Sequence, residues 1–381
     1  MKILAVGGGS GGHVTPVVAV LKELRLKDPE VELKFWCDNG FATQAGSIVG
    51  GFDDTIPIET IISGKLRRYH HLTLWQHITW PSLMLSNFVD FFKVVAGYFQ
   101  SLFKLIIWRP NAVFTKGGFV CLPVGLAART LGIPLIIHDS DAHPGLTNRI
   151  LAKWATRIAT GAPLEYYSYP PEKSRYVGIP INAAFRPMSK TEQAEAKKRW
   201  KVDPEKPLVV VTGGGLGAKR LNDTIIESLA DLEKRASIAL VAGTGPYPAL
   251  RKQFPIDTKQ FKLYPFVSNM HDLLGAADIV IARAGATTIL ELAALEKPTI
   301  LIPNAALTGG HQLKNAAVYG EAQVVIVLNE KNGGDTPEAI VKAVDFYLKD
   351  TKTAHTMAKR FGKFAKPNAA KDTAKLILSV L

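Results

Sequence analysis

Two doubly wound α/β domains, each a parallel sheet with helices on both faces, are predicted for this 381-residue chain by three observations. Short apolar runs alternate with helix-like runs throughout the first half. A glycine-rich turn directly follows the first apolar run, residues 3–6. The same pairing of apolar run and glycine turn returns at residues 208–218.

From Val6 the chain passes through Gly7, Gly8, Gly9, Ser10, Gly11 and Gly12 to His13, then enters a helix-like run over 15–24. Main chain this bare presents N–H groups at the positive end of a helix, where a phosphate or diphosphate binds. His13 is the only side chain there that takes a proton near neutral pH; a helix-start residue bonded to backbone is its plainer reading. Gly7-x-Gly9-x-x-Gly12 also satisfies the dinucleotide fingerprint, with Asp38 closing the strand-like run 31–36 as a ribose-binding acid would. A helix follows Phe41. Strands are then expected at 112–115 and 135–138, and helices at 120–131 and 146–155. Ligands of such sheets bind beyond the carboxyl ends of the strands, where Lys116-Gly117-Gly118-Phe119 and residues 138–148 fall. A divalent ion at Asp139 and Asp141 would need a third acid, and none lies nearby, so they read as carboxylates near a helix start.

Residues 177–187 form a Gly/Pro-punctuated connector, followed by a charged helix over 191–200. Beyond it come a buried strand at 208–212, the second glycine turn at 213–218 and a helix over 221–232. Strands are expected at 238–242, near 264 and at 278–283. Small residues at 284–288 leave N–H groups open for phosphate oxygens, and Glu291, one turn in, is placed to accept from a ribose diol or to be a solvated carboxylate. After a strand at 299–303, Gly309, Gly310, His311, Gln312, Lys314 and Asn315 cluster donors and acceptors of the sort that reads sugar hydroxyls. The tail from 367 to 381 is an amphipathic helix.

Between 65 and 109 the pattern changes. Lys65, Arg67, Arg68, His70 and His71 precede Trp75 and Trp80, and apolar residues then recur at helical spacing at Leu85, Phe88, Phe92, Val95, Phe99 and Phe103. Asp90, Lys93 and Lys104 interrupt them, so no uninterrupted run near the roughly 20 apolar residues of a spanning helix is present. The segment is expected to lie on a membrane, rings at headgroup level and cations on acidic lipid, or to cover the sheet as an ordinary amphipathic helix. Both readings stand.

The 47% hydrophobic and 21% charged content excludes a disordered chain. A formal charge of +13 implies an anionic partner, whether nucleic acid, an acidic membrane surface or a phosphorylated substrate. Cys37 and Cys121 alone make neither a disulfide framework nor a zinc site. With no signal-peptide pattern at the start, a reducing, cytoplasmic setting is expected.

The motifs Gly7-Gly8-Gly9-Ser10-Gly11-Gly12-His13, Gly117-Gly118-Phe119, Pro144-Gly145-Leu146-Thr147-Asn148, 213–218, 285–291 and His311-Gln312, in this order, resemble the MurG enzymes. These are lipid-linked N-acetylglucosaminyltransferases that add the second sugar to the peptidoglycan precursor. The likeness extends over nearly the whole chain. It implies the glycosyltransferase B fold, two Rossmann-like domains facing across a cleft. Residues 1–180 with a C-terminal helix over 365–381 would bind acceptor and membrane, and residues 181–364 would bind the UDP-sugar. The implied reaction inverts and moves N-acetylglucosamine from UDP-N-acetylglucosamine to N-acetylmuramoyl-pentapeptide on undecaprenyl diphosphate, giving lipid II for cell-wall growth and division. It would run at the cytoplasmic face of the cell membrane, held to the anionic surface through 65–109, with no cofactor, no metal and no nucleic acid.

The resemblance makes His13 the general base. About the UDP-sugar it places Ser10, Gly11, Gly12, Asp141, Asn182, Gly215, Val267, Ala286, Thr287, Thr288, Glu291 and Gln312. Val267 would meet uracil through its backbone, 286–291 would take diphosphate and ribose, and Gln312 would face the donor sugar. Gly8, Gly9, Gly117, Gly118 and Asn148 fall to the acceptor. Three places depart from the family pattern: Asn182 stands where an arginine is usual, with Arg186 the nearest substitute; Gly215-Leu216 replaces Ser-Gln; and Asp139 and Asp141 replace Glu and Asn. A glycosyltransferase making glycosyl-diacylglycerol lipids shares these features and is the alternative. An NAD-dependent oxidoreductase is more distant, because one dinucleotide needs one glycine turn and this chain has two.

Overall fold

A computed structural model of the chain describes residues 1–9, 11–65, 81–142, 144–214, 217–305, 310–330 and 333–381. The chain forms two compact units, Met1–Asn182 with Lys366–Leu381, and Ala183–Ala365.

The first unit is built on a seven-stranded parallel sheet in the order β3-β2-β1-β4-β5-β6-β7. Its strands are β1 (Lys2–Val6), β2 (Glu32–Asp38), β3 (Ile58–Ile61), β4 (Ala112–Thr115), β5 (Leu135–Asp139), β6 (Arg157–Thr160) and β7 (Ser174–Tyr176). The apolar β1, β4 and β5 are buried on both faces and occupy the middle, as a parallel sheet requires. The helices are α1 (Gly11–Lys27), α2 (Ala42–Gly50), α3 (Pro81–Trp108), α4 (Cys121–Thr130) and α5 (Leu146–Leu151). Helix α1 begins at Gly11, earlier than the apolar pattern indicates, which puts His13 inside its first turn. A C-terminal helix, Ala369–Leu378, buries Ala374 and Ile377 in the same core as Val17, Leu21 and Leu24 of α1.

Helix α3 has two faces with different partners. Inward, Val94, Ser101 and Leu105 are buried, and Gly97 lies so close to the Ile62 carbonyl that a Cβ would overlap it. Gln100 accepts the Ile62 N–H through Oε1 at 2.8 Å and donates from Nε2 to the Thr60 carbonyl at 3.2 Å. Lys104 pairs with Glu59. Outward, Phe88, Phe99 and Phe103 are each more than 60% exposed, with Phe91, Phe92 and Ile107 also more than half exposed. The two sequence readings of this segment are therefore one helix seen from opposite sides as far as burial goes. Contrary to the expectation drawn from its charges, Met84–Trp108 is long and apolar enough to cross a membrane by length and composition. Asp90 is buried and Lys104 engages Glu59, so these charges subtract little from the outward face.

The second unit repeats the plan with six parallel strands in the order β10-β9-β8-β11-β12-β13. They are β8 (Leu208–Thr212), β9 (Ser237–Val241), β10 (Phe261–Tyr264), β11 (Ile279–Ala282), β12 (Thr299–Leu301) and β13 (Ile326–Val327). Around them lie α6 (Lys190–Arg199), α7 (Lys219–Glu227), α8 (Leu229–Glu233), α9 (Tyr247–Gln253), α10 (Met270–Ala276), α11 (Ala286–Ala294), α12 (His311–Glu321), α13 (Pro337–Lys349) and α14 (Thr351–Gly362). The single helix expected over 221–232 is two, parted at Ser228, whose hydroxyl donates to the Thr224 carbonyl at 2.6 Å.

Candidate active site

In the first unit the strand order reverses between β1 and β4, and the turns leaving those strands carry the site. The Asp38 carboxylate at the tip of β2 accepts the Gly9 N–H at 2.7 Å. A Cβ on Gly8 would overlap that carboxylate. Asp38 is thus engaged in tying down the glycine turn, which corrects its reading as a ribose-binding acid and removes the acid from the dinucleotide fingerprint. It also takes the Gly9 N–H away from any phosphate. Gly118 leaves β4 with φ of +89°, and a Cβ there would face the Gly8 carbonyl at 3.2 Å and His13 Nε2 at 3.8 Å. The two glycine turns meet beside the His13 ring.

His13 Nδ1 lies 3.4 Å from the carbonyl oxygen of Lys116. A carbonyl only accepts, so Nδ1 carries the hydrogen and Nε2 keeps its lone pair. Burial first, then the Lys116 ammonium, lower the imidazole pKa to about 4. The ring is neutral at pH 7, the form a general base needs.

The lysine itself is 1% exposed and donates to Ser140 Oγ. Burial lowers its pKa to about 8 against the pull of Asp141 and Asp139. Asp139 is pushed up to about 7, chiefly by burial, although it accepts the Tyr169 hydroxyl at 2.7 Å and a bond from Asn148. Asn148 is buried and donates from Nδ2 to the His138 carbonyl at 3.2 Å, so it braces the loop after β5. The Tyr167 hydroxyl holds the Asp141 carbonyl at 2.8 Å. Among the described residues, no group of three or more His, Cys, Asp and Glu side chains is arranged to hold a metal ion.

The second unit reverses its strand order between β8 and β11. Gly214 and Gly217, with φ of +87° and +80°, flank the turn after β8, and a Cβ on Gly217 would overlap the Ala242 carbonyl. Helix α11 starts at Ala286 behind Gly285, with no side chain capping it, so its first N–H groups are open. Thr287 and Thr288 are partly exposed in that first turn. Burial raises the Glu291 carboxyl to about 8, and among the described residues nothing donates to it. Behind these loops Arg283 donates to Glu330 and to the Ile302 carbonyl at 3.0 Å. Arg220 of α7 grips Asp335 with two bonds of 2.8 Å. Gln312 accepts the Asn304 N–H through Oε1 at 2.8 Å, and Val267 follows β10, almost buried.

The structure gathers His13, Gly8, Gly9, Gly117, Gly118, Asn148 and Asp141 at the β1 and β4 tips, with Gly11 and Gly12 opening α1. It places Ala286, Thr287, Thr288 and Glu291 together on α11. Asn182 is the exposed last residue of the first unit's main segment. Arg186 is bound to Glu192 at 2.6 Å within the capping box of α6, so it is engaged at a helix start. Ser10, Gly215, Leu216 and Gly309 lie outside the described residues, as do Arg67, Arg68, His70, His71, Trp75 and Trp80. Sequence reasoning quoted Lys116 within its glycine motif without giving it a role, and it passed over Glu330; burial is what marks both, and no local pattern carries it.

Comparison with known proteins agrees with the two-unit plan. The family model for glycosyltransferase family 28 N-terminal domains matches residues 3–160, and that for the C-terminal domains matches 208–375. A UDP-N-acetylglucosamine–N-acetylmuramyl-(pentapeptide) pyrophosphoryl-undecaprenol N-acetylglucosamine transferase from Clostridium kluyveri is 32% identical, over all of this chain and 98% of its own. One of the same name from a Thermoanaerobacter species is 30% identical over the full length of both. Among solved structures, MurG of Acinetobacter baumannii superposes with a TM-score of 0.71 at 24% identity, covering 99% of each chain. A UDP-GlcNAc 2-epimerase from Neisseria meningitidis does so with 0.66 at 15% identity over all of both chains. These two likenesses speak for the fold. The glycine turns, the two parallel sheets and the full-length identity to its relatives together make the chain a member of glycosyltransferase family 28, within the UDP-N-acetylglucosamine–N-acetylmuramyl-(pentapeptide) pyrophosphoryl-undecaprenol N-acetylglucosamine transferases.

Proposed function

We propose that the chain is an inverting glycosyltransferase that moves N-acetylglucosamine from UDP-N-acetylglucosamine to N-acetylmuramoyl-pentapeptide on undecaprenyl diphosphate, making lipid II for peptidoglycan. The observation that carries this reading is that each unit has glycine turns with positive φ where its strand order reverses, one site for each of two phosphorylated substrates.

In this reading the second unit takes the donor. The open N–H groups of Ala286, Thr287 and Thr288 receive the diphosphate, Glu291 accepts from the ribose diol, Val267 meets uracil, and Gln312 leaves its amide nitrogen for the sugar. The first unit takes the acceptor at Gly8, Gly117 and Gly118, the Gly9 N–H being held by Asp38. His13 Nε2 accepts the proton of the acceptor hydroxyl while that oxygen attacks the anomeric carbon. The bond from that carbon to the diphosphate breaks, its electron pair leaves with UDP, and the configuration inverts. Main-chain dipoles aimed at the leaving diphosphate stabilise its growing charge.

Docking on the cytoplasmic face of the membrane falls to α3, whose exposed phenylalanines suit the headgroup boundary of an anionic bilayer. The deciding experiment offers purified protein labelled UDP-N-acetylglucosamine with two acceptors, lipid-linked N-acetylmuramoyl-pentapeptide and diacylglycerol. Label is expected on the first alone; label on diacylglycerol alone overturns the reading in favour of a membrane-glycolipid synthase.

A further inference from the structure

We propose that Lys116 is a positioning residue for His13: its main-chain carbonyl fixes which imidazole nitrogen is basic, while its buried ammonium, seated on Ser140 between Asp139 and Asp141, is the cation set against the acids around that ring. The proposal rests on the reading of His13 as the base.

An ammonium is costly to bury, and a methionine of similar length would fill the tip of β4 without that cost, so a lysine here is informative. Its Nζ engages Ser140, the residue between Asp139, which ends β5, and Asp141. Among the described residues, the charged groups acting on His13 are Asp38 from β2, Lys116 from the turn after β4 and Asp141 from the loop after β5. Buried His138 of β5 lies within reach of the His13 ring as well, and Asp139 faces Lys116. The two acids favour an imidazolium. Lys116 is the cation opposing them, and its effect on the ring exceeds that of either acid. The positive end of α1, in whose first turn His13 sits, acts in the same direction. Removing the ammonium leaves the acids unopposed from the side chains, and the ring then takes a proton at a higher pH.

One residue thereby does two things to the base through different atoms. The carbonyl contact selects the tautomer and the side chain adds to burial in holding off a proton, so a substitution separates the functions: any residue at 116 keeps the carbonyl, and only a cation keeps the field.

The test follows the His13 ring nitrogens of the full-length protein by NMR from pH 8 to 5, the resonances being assigned by their loss in His13→Gln. In the wild type the ring is expected to stay neutral to pH 5, its pKa being about 4. In Lys116→Met the midpoint is expected to rise by about one pH unit or more toward the ordinary imidazole value, while Lys116→Arg holds it near the wild-type position. The acid limb of the kcat/KM profile for glycosyl transfer moves up by the same amount in Lys116→Met. A His13 titration in Lys116→Met that matches the wild type overturns the proposal. A His13→Gln protein as active as the wild type overturns the base reading instead, and the NMR comparison still decides about Lys116. If Lys116→Met does not fold, Ser140→Ala, which unseats the ammonium, is expected to raise the His13 midpoint, and an unmoved midpoint there counts against the proposal equally.

Discussion

The carboxylate of Asp38 accepts the Gly9 N–H at 2.7 Å, so the acid ending β2 fastens the turn that follows β1. The bond is charge-assisted and partly buried, and its loss leaves the turn without its side-chain anchor. Asp38→Ala is expected to lower the free energy of unfolding by about 2 kcal/mol, and Asp38→Asn, which retains an acceptor, by less. Urea denaturation checks it; equal stability of the alanine variant and the wild type would mean that the turn is held by other bonds.

His13 supplies a basic nitrogen and sits among glycines that do no chemistry of their own. General-base help is worth about 10² to 10⁴ in rate, so His13→Ala should slow turnover by an amount in that range. Calorimetric titration with UDP is expected to give the wild-type affinity, because the groups proposed to hold the donor belong to α11. A variant that turns over at the wild-type rate removes His13 from the mechanism.

Glu291 couples stability to function with a definite sign. Its carboxyl titrates at about 8 in the folded chain against 4.5 when exposed, so between those values the folded state holds a proton that the unfolded state has released. Stability from this group is fully present below pH 4.5 and is lost as pH rises toward 8. Glu291→Gln is expected to raise stability at pH 8 by about 2 kcal/mol, with little change near pH 4. The same variant should bind UDP about 10-fold more weakly, because its amide keeps one neutral acceptor oxygen and puts a donor where the carboxylate's second oxygen would receive the ribose diol. Thermal melts across this pH range and UDP titrations read the two effects; a variant with lower stability at pH 8 contradicts the sign.

Phe99 and Phe103 are 62% and 67% exposed on the outer face of α3. Replacing both with glutamate costs the fold little, within about 1 kcal/mol each, since both are largely exposed and Phe99 loses only an edge contact with Tyr98. If α3 docks on lipid as proposed, the pair is expected to abolish co-sedimentation with anionic vesicles, because it places two negative charges and removes two rings on that face. Undiminished sedimentation would assign the membrane contact to another surface.

Much of this architecture is written in local pattern. The runs at 3–6 and 208–212 are apolar throughout, and each is followed by glycines, so strand, turn and strand tip could be placed without a structure. Strands β3 and β7 escaped because Ile58–Ile61 contains Glu59 and Ser174–Tyr176 contains Arg175, and a three- or four-residue edge strand with a charge has no readable period. The helices α13 and α14 went unassigned although Thr336 and Asp350 cap them. At the site, the glycines and His13 stand out by type. Lys116, Asp38 and Glu330 acquire their roles only through burial and through partners far off in sequence, which no window along the chain contains.

The helix Ala369–Leu378 completes a core begun at the other end of the polypeptide. On the ribosome, Val17 and Leu21 of α1 are made first, and Ala374 and Ile377, which share their core, arrive only after the whole of Ala183–Ala365 has been synthesised. At 5–20 residues per second that interval is roughly 10–40 s. For its duration the nascent first unit carries an uncovered greasy stripe, which makes early termination and slow translation late in the message hazards for aggregation even where every active-site residue is present.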